Sequence, residues 1–193
     1  MITSINTPRL TIRPIVLDDA ESYFDAEMAS VEELMPHWNW AKPDKTLTEI
    51  KEFIQYAEEC HGKDHPPEIY FSVFLKETNK FIGVAWFFEI NWFVPAFEIL
   101  YWLDTRETGK GYMSEAVSAL TRACFDFYDA KRIQIKISSD NDNSKGIPKR
   151  LNFKFECEVE NYFFNHVTKQ VTSGIQYSCC SKELLPDMKL EVC

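Results

Sequence analysis

FEILYWLDTRETGKGYMSEAV, residues 97–117, decides how this chain folds. Its first seven residues read as a strand, with Phe97, Ile99, Tyr101 and Leu103 on one face and Leu100 and Trp102 on the other. A strand that is largely apolar on both faces belongs in the middle of a sheet, with a layer packed on each side. After residue 111 the period changes. Met113, Ala116, Val117, Leu120, Cys124 and Phe127 recur at helical spacing and predict a core-facing stripe over residues 112–128.

The join between the two is Arg106-Glu107-Thr108-Gly109-Lys110-Gly111. Main-chain N–H groups at a helix start have no intrahelical acceptor and carry partial positive charge, so such a turn suits phosphate. Gly109 and Gly111 remove side chains that would block close approach, and Arg106 and Lys110 add charge. A plain strand-to-helix turn would also use glycine. The turn is a poor dinucleotide fingerprint, because Ser114 stands where a third glycine belongs.

Outward from this unit the pattern is that of an α/β chain. Strands are predicted over residues 9–15, 70–75, 81–90, 132–138, 155–164 and 172–180, and helices over 18–30, from Thr46 or Thr48 onward, and over 144–151. With the central strand and helix this makes about seven strands and about four helices. No repeat or linker interrupts them. Residues 1–181 are expected to form one domain and 182–193 a C-terminal tail.

The bulk numbers narrow the function class. Of the 193 residues 45% are hydrophobic and 15% aromatic, which describes a packed globule. The net charge of -9 argues against nucleic acid as partner and favours a cationic or amine-bearing one. Cys60, Cys124, Cys157, Cys179, Cys180 and Cys193 form no CxxC pair. They read as free thiols in a reducing cytoplasm, with neither a zinc site nor a disulfide framework. The most apolar window, residues 81–95, contains Glu89 and Asn91 and is too short to span a bilayer.

Arg106-x-x-Gly109-x-Gly111-Tyr112, followed by Ser114-Glu115-Ala116, resembles the acyl-CoA loop of the GNAT N-acetyltransferases. More narrowly it resembles the RimJ/RimL-like branch, which acetylates ribosomal-protein N-termini. The other matches fall in order along the chain. They are Thr7-Pro8-Arg9-Leu10-Thr11-Ile12-Arg13, Phe81-Ile82-Gly83, the strand of residues 97–103, and Asp140-Asn141-x-x-Ser144 with Leu151-Asn152-Phe153 downstream.

The resemblance implies a mixed, mostly antiparallel sheet splayed in the middle, with acetyl-CoA as cosubstrate in the gap. It implies main-chain contacts from Tyr101, Trp102 and Leu103 to the pantetheine arm. It also implies pyrophosphate on the turn of Arg106, Thr108, Gly109, Lys110 and Gly111, with Tyr112, Ser114 and Asn141 beside it. No metal is implied. The acceptor is an amine, either a protein N-terminus or a small molecule, with neither membrane nor nucleic acid as partner. The protein is expected to be a monomer or homodimer.

Acetyl transfer to an amine needs a proton acceptor, a polarised thioester carbonyl and a protonated leaving thiolate. Glu98, on a strand otherwise apolar, is the candidate base, since desolvation would raise its pKa. Pairing with a nearby cation is the alternative. Many relatives carry a tyrosine as acid at the position of Pro148, so that route is closed. Ser144 matches the serine that the branch places near the thiol. It either orients a water or hydrogen-bonds the sulfur, or serves only at a helix start. Gly146 and Pro148 weaken that helix, which leaves a non-catalytic coenzyme-binding module as the competing reading. His37, Trp38 and Trp40 fall where the branch places aromatic residues over the acceptor, and tryptophan faces hold cations.

Overall fold

The central strand lies inside the sheet, with packed cores on both of its faces. The computed structural model describes residues 2–192; Met1 and Cys193 lie outside the described residues. In chain order the elements are β1 (Ile5–Asn6), β2 (Leu10–Pro14), α1 (Ala20–Ala29), α2 (Val31–Leu34), α3 (Leu47–His61), β3 (Ile69–Leu75) and β4 (Lys80–Asn91). They continue with β5 (Ala96–Leu103), α4 (Tyr112–Phe127), β6 (Arg132–Ser138), α5 (Asp142–Arg150), β7 (Lys154–Phe164), β8 (Val171–Cys179) and β9 (Glu191–Val192). Among the described residues the sheet has nine strands in the order β7-β8-β6-β5-β4-β3-β2-β1-β9.

Phe97 and Ile99 of β5 are buried in a core with Ala116, Val117 and Leu120 of α4. On the opposite face Trp102 is buried with Tyr23 and Ala26 of α1 and Ile50 and Ile54 of α3. The larger of these side chains, such as Phe97, Ile99, Leu120 and Ile54, each contribute roughly 1.5–3 kcal/mol on burial, so the alternation along β5 fixes both layers at once.

What positions the site is a change of pairing. β5 runs antiparallel to β4 over most of its length. Its parallel pairing with β6 covers only Ala96, Phe97 and Glu98 against Arg132, Ile133 and Gln134. Beyond that the two strands part, and the main-chain edges of residues 99–103 and 135–138 face a gap. This is the expected splay.

Nine strands replace the expected seven because β1 and β9 are two residues each, too short to leave a periodic signal. β1 pairs with β2 and with β9, while Leu185 is buried in the main core. The helix beyond the expected four is the single turn α2. Thr46, not Thr48, caps α3: its Oγ1 accepts from Glu49 N, and the Glu49 carboxylate accepts from Thr46 N at 2.8 Å. Phe127, expected in the core stripe, is half exposed, since α4 ends there, beyond the core.

Candidate active site

The turn after β5 presents main-chain N–H groups to an open cleft. Gly109 and Gly111 have left-handed φ values of 76° and 79°, a conformation that only glycine adopts freely. Among the described residues, the N–H groups of residues 109–112 have no main-chain acceptor. Successive free N–H groups at the start of a sixteen-residue helix form an anion-binding concavity.

The turn is braced from behind by Arg9. Its Nε lies 2.6 Å from Glu115 Oε2, its Nη1 donates to the Lys110 carbonyl at 2.9 Å, and its guanidinium stacks 4.7 Å over the Tyr112 ring. Lys110 itself is paired to Glu107 at 2.7 Å. Arg106 does not offer its charge to the cleft. Its guanidinium donates to both oxygens of the buried Asp104 and to Asp25, so the acid two residues earlier takes the charge that the sequence reading assigned to phosphate.

The cleft has a volume of about 840 Å³, enough for a cofactor-sized ligand. Its walls include Tyr101, Trp102 and Leu103 on the open edge of β5, Thr108, Gly109, Lys110, Gly111, Tyr112 and Ser114, and Ser144 and Arg150 of α5. A smaller cavity of about 90 Å³ lies in the splay, with Glu98, Lys136, Phe163 and Phe164 among its lining residues. The two share His37, Trp38, Tyr101, Asn141 and Ser144. These five residues mark the junction where a group held in one cavity meets a group held in the other.

At the smaller cavity Glu98 is buried, and burial raises its pKa. Lys136 opposes that shift from 2.7 Å and also holds Glu89 at 2.9 Å, while Gln134 donates to Glu98 at 3.4 Å. Burial works against the Lys136 ammonium, yet the two carboxylates outweigh it and its pKa is raised. Glu98 is thus an ion-paired carboxylate facing the small cavity, and it does not line the cleft.

Helix α5 carries the departures from pattern. It begins at Asp142 rather than 144, because Asn141 caps it by accepting from Ser144 N at 3.0 Å. Pro148 sits inside it without an N–H for the Ser144 carbonyl. The Tyr101 hydroxyl donates to that carbonyl instead, at 3.2 Å, and burial pushes the Tyr101 pKa up. Gly146 makes room for Arg150: a Cβ there would stand 2.5 Å from Arg150 Nη1. The Arg150 guanidinium donates to Ser114 Oγ at 3.0 and 3.2 Å and has no carboxylate partner among the described residues. It is a cation on the cleft wall.

Of the three residues expected over the acceptor, one stands apart. Trp40 lines neither cavity; it stacks on Trp38 at 5.6 Å and backs the loop. His37 lines both cavities and faces Asp140, with Nδ1 4.0 Å from Oδ1. Sequence reasoning missed Arg150, Lys136 and Asp140 as site residues. The Gly146-to-Arg150 spacing, one helical turn, offered a signal for Arg150, and Asp140 stood in the motif that ends at Ser144.

The family described as acetyltransferase (GNAT) domain matches residues 9–154. An uncharacterised N-acetyltransferase of Bacillus licheniformis is 28% identical over 159 residues, covering 82% of this chain and 86% of that protein. A ribosomal-protein-serine acetyltransferase of Escherichia coli is 27% identical over 128 residues, 66% of this chain and 69% of that protein. Among solved structures, RimL, a ribosomal alpha-N-protein acetyltransferase in complex with coenzyme A, superposes with a TM-score of 0.83 at 20% identity. It covers 91% of this chain and 96% of its own, a likeness of fold.

Proposed function

The chain belongs to the GNAT acetyltransferase family, and on that premise we propose that it moves the acetyl group of acetyl-CoA onto the N-terminal amine of a protein. The observation that carries the reading is the row of free N–H groups at residues 109–112, at the mouth of a cleft that runs into the splay between β5 and β6. Those donors suit a pyrophosphate, and Arg150 adds the charge that Arg106 has spent on Asp104. The unpaired edge of Tyr101, Trp102 and Leu103 suits an amide-bearing arm, which would bring the thioester to the junction beside Ser144 and Asn141. Thr108, Gly109, Lys110, Gly111, Tyr112 and Ser114 line its path.

Acetyl-CoA supplies the activated acetyl group; the chain supplies placement and proton handling. Glu98 draws the acceptor ammonium into the small cavity. His37 and Trp38 roof it, and Trp40 stiffens that roof from behind. A protein acceptor is supported by the names of the relatives and by the open face beside the cavity, where β7 is exposed along its length. No helix among the described residues is long and apolar enough to cross a membrane. The five cysteines among the described residues are free, which suits a reducing cytoplasm.

The test is acetyl-CoA with a panel of peptides bearing free N-termini, following coenzyme thiol release and N-terminal acetylation by mass spectrometry. Acetylated peptide is the expected product. Absence of thermal stabilisation by acetyl-CoA would refute coenzyme binding. Binding without thiol release on any amine would favour a non-catalytic module.

A further inference from the structure

We infer that His37, backed by Asp140, is the proton carrier of acetyl transfer and matches the enzyme to α-amines over lysine side chains. The inference rests on the acetyl-transfer reading and deepens it.

Of the five residues common to both cavities, Trp38, Asn141 and Ser144 do not exchange protons near neutrality. Tyr101 is half-buried and committed to the Ser144 carbonyl. Glu98 faces only the smaller cavity and holds Lys136 at 2.7 Å. His37 remains. Its main-chain N–H donates to the Leu34 carbonyl at 3.0 Å, and the carbonyl of the preceding Pro36 accepts from His166 N at 3.0 Å, so the loop is pinned on both sides.

Asp140 is placed to serve it. Ser138 Oγ donates to Oδ1 at 2.6 Å and Asn165 Nδ2 to Oδ2 at 2.8 Å. Burial opposes this charge, but those bonds keep the Asp140 pKa below the usual carboxylate range. A fixed carboxylate 4.0 Å from Nδ1, beyond hydrogen-bond reach, acts through its charge and favours a proton on that nitrogen, with Nε2 as the basic atom. Burial lowers the His37 pKa and Asp140 opposes the change, so the net effect favours the neutral ring. The other titratable groups on the shared walls are Glu33, Glu98, Tyr101, Lys110, Lys136 and Arg150.

The step balances as follows. Nε2 takes one proton from the acceptor ammonium, and the freed amine attacks the thioester carbonyl. The C–N bond forms and the C–S bond breaks. The thiolate takes the proton from the imidazolium, restoring neutral His37, and the second amine proton leaves to water. An α-amine, at about pKa 8, lies roughly 1.5 units above an ordinary imidazole, whereas a lysine amine lies about 4 above it. The first transfer is therefore far easier for an α-amine.

The experiment compares full-length wild type, His37→Gln, His37→Ala and Asp140→Asn, using acetyl-CoA and two peptides. One peptide has only a free α-amine and the other only a free lysine amine. Wild type is expected to prefer the α-amine peptide, with kcat/KM falling on the acid side of neutrality. His37→Gln should lose on the order of 10²–10⁴-fold in kcat, together with the His37 contribution to that fall, while coenzyme affinity by calorimetry stays unchanged. Added imidazole should partly restore His37→Ala. Asp140→Asn should shift the His37 component to lower pH. If His37→Gln binds coenzyme normally and keeps both rate and pH profile, the inference is overturned. Wild type that binds acetyl-CoA yet releases no thiol to either peptide would sink the acetyl-transfer reading, and this inference with it.

Discussion

The hydroxyl of Tyr101 donates to the main-chain oxygen of Ser144 at 3.2 Å, the carbonyl that Pro148 has no N–H to serve. The proline that breaks one bond of α5 is thus offset by a side chain from β5, and the junction residues Tyr101 and Ser144 are tied together. Tyr101→Phe should remove that donor and cost about 0.5–1.5 kcal/mol of stability, the net worth of one such hydrogen bond. In a Pro148→Ala background the restored N–H can serve the carbonyl, so the same change should cost measurably less. A double-mutant cycle by urea unfolding reads the coupling. Strict additivity would mean that Tyr101 does not compensate for the proline.

Gly146 and Arg150 separate stability from binding. Arg150→Ala should weaken acetyl-CoA by roughly 10–100-fold, the value of a lost charge-assisted bond of about 1.5–3 kcal/mol. Gly146→Ala places a methyl 2.5 Å from the guanidinium, whose flexible stem moves at little cost. That variant should be as stable as wild type or up to about 1 kcal/mol more stable, because alanine favours helix, yet bind the coenzyme more weakly. Calorimetry and thermal melts on the same samples check both signs. Unchanged affinity would show that the guanidinium need not stand where it does.

Much of this was legible in the sequence, and the rest was hidden for physical reasons. Alternation along residues 97–103 and the stripe from Met113 to Cys124 gave the layers, because burial enforces periodicity. The turn was legible through Gly109 and Gly111, whose left-handed φ values leave a chemical mark. Side-chain destinations were not. Arg106 looked like a phosphate ligand, but Asp104 and Asp25 compete for it, and Asp25 lies 81 residues away. β1 and β9 are too short to carry a pattern. Their pairing joins opposite ends of the chain, which no local signal reports. Asp140 became a partner of His37 only through the fold.

The Glu98–Lys136 pair predicts an asymmetry. Lys136→Met should destabilise by about 3–5 kcal/mol, because it strands a buried carboxylate. Adding Glu98→Gln should recover much of that loss. Glu98→Gln alone should raise KM for the amine more than it lowers kcat if the carboxylate attracts the acceptor rather than carrying the proton. Steady-state kinetics across pH decide this, and an unchanged KM with a collapsed kcat would assign the base to Glu98 instead.

The last prediction concerns Glu27, buried on α1 with Lys45 Nζ 3.8 Å away and no hydrogen-bond partner for its carboxylate among the described residues. Burial raises its pKa to about 7, with Lys45 opposing. The folded-state value lies above the unfolded one, so the protonated form is favoured in the fold. The stabilising contribution is complete below the unfolded pKa and is lost as pH rises through about 7. A shift of that size is worth up to about 3 kcal/mol. Glu27→Gln should therefore melt near wild type at about pH 5 and well above it at about pH 8. Lys45 also donates to the Trp40 carbonyl at 3.2 Å and stands 5.6 Å over its ring, and Trp40 supports Trp38 at the junction. Releasing Lys45 from Glu27 should therefore loosen that roof, so the stabilised variant is expected to bind the acceptor less tightly at the higher pH. Wild-type and variant stability curves that run parallel across this range would rule out a titrating Glu27.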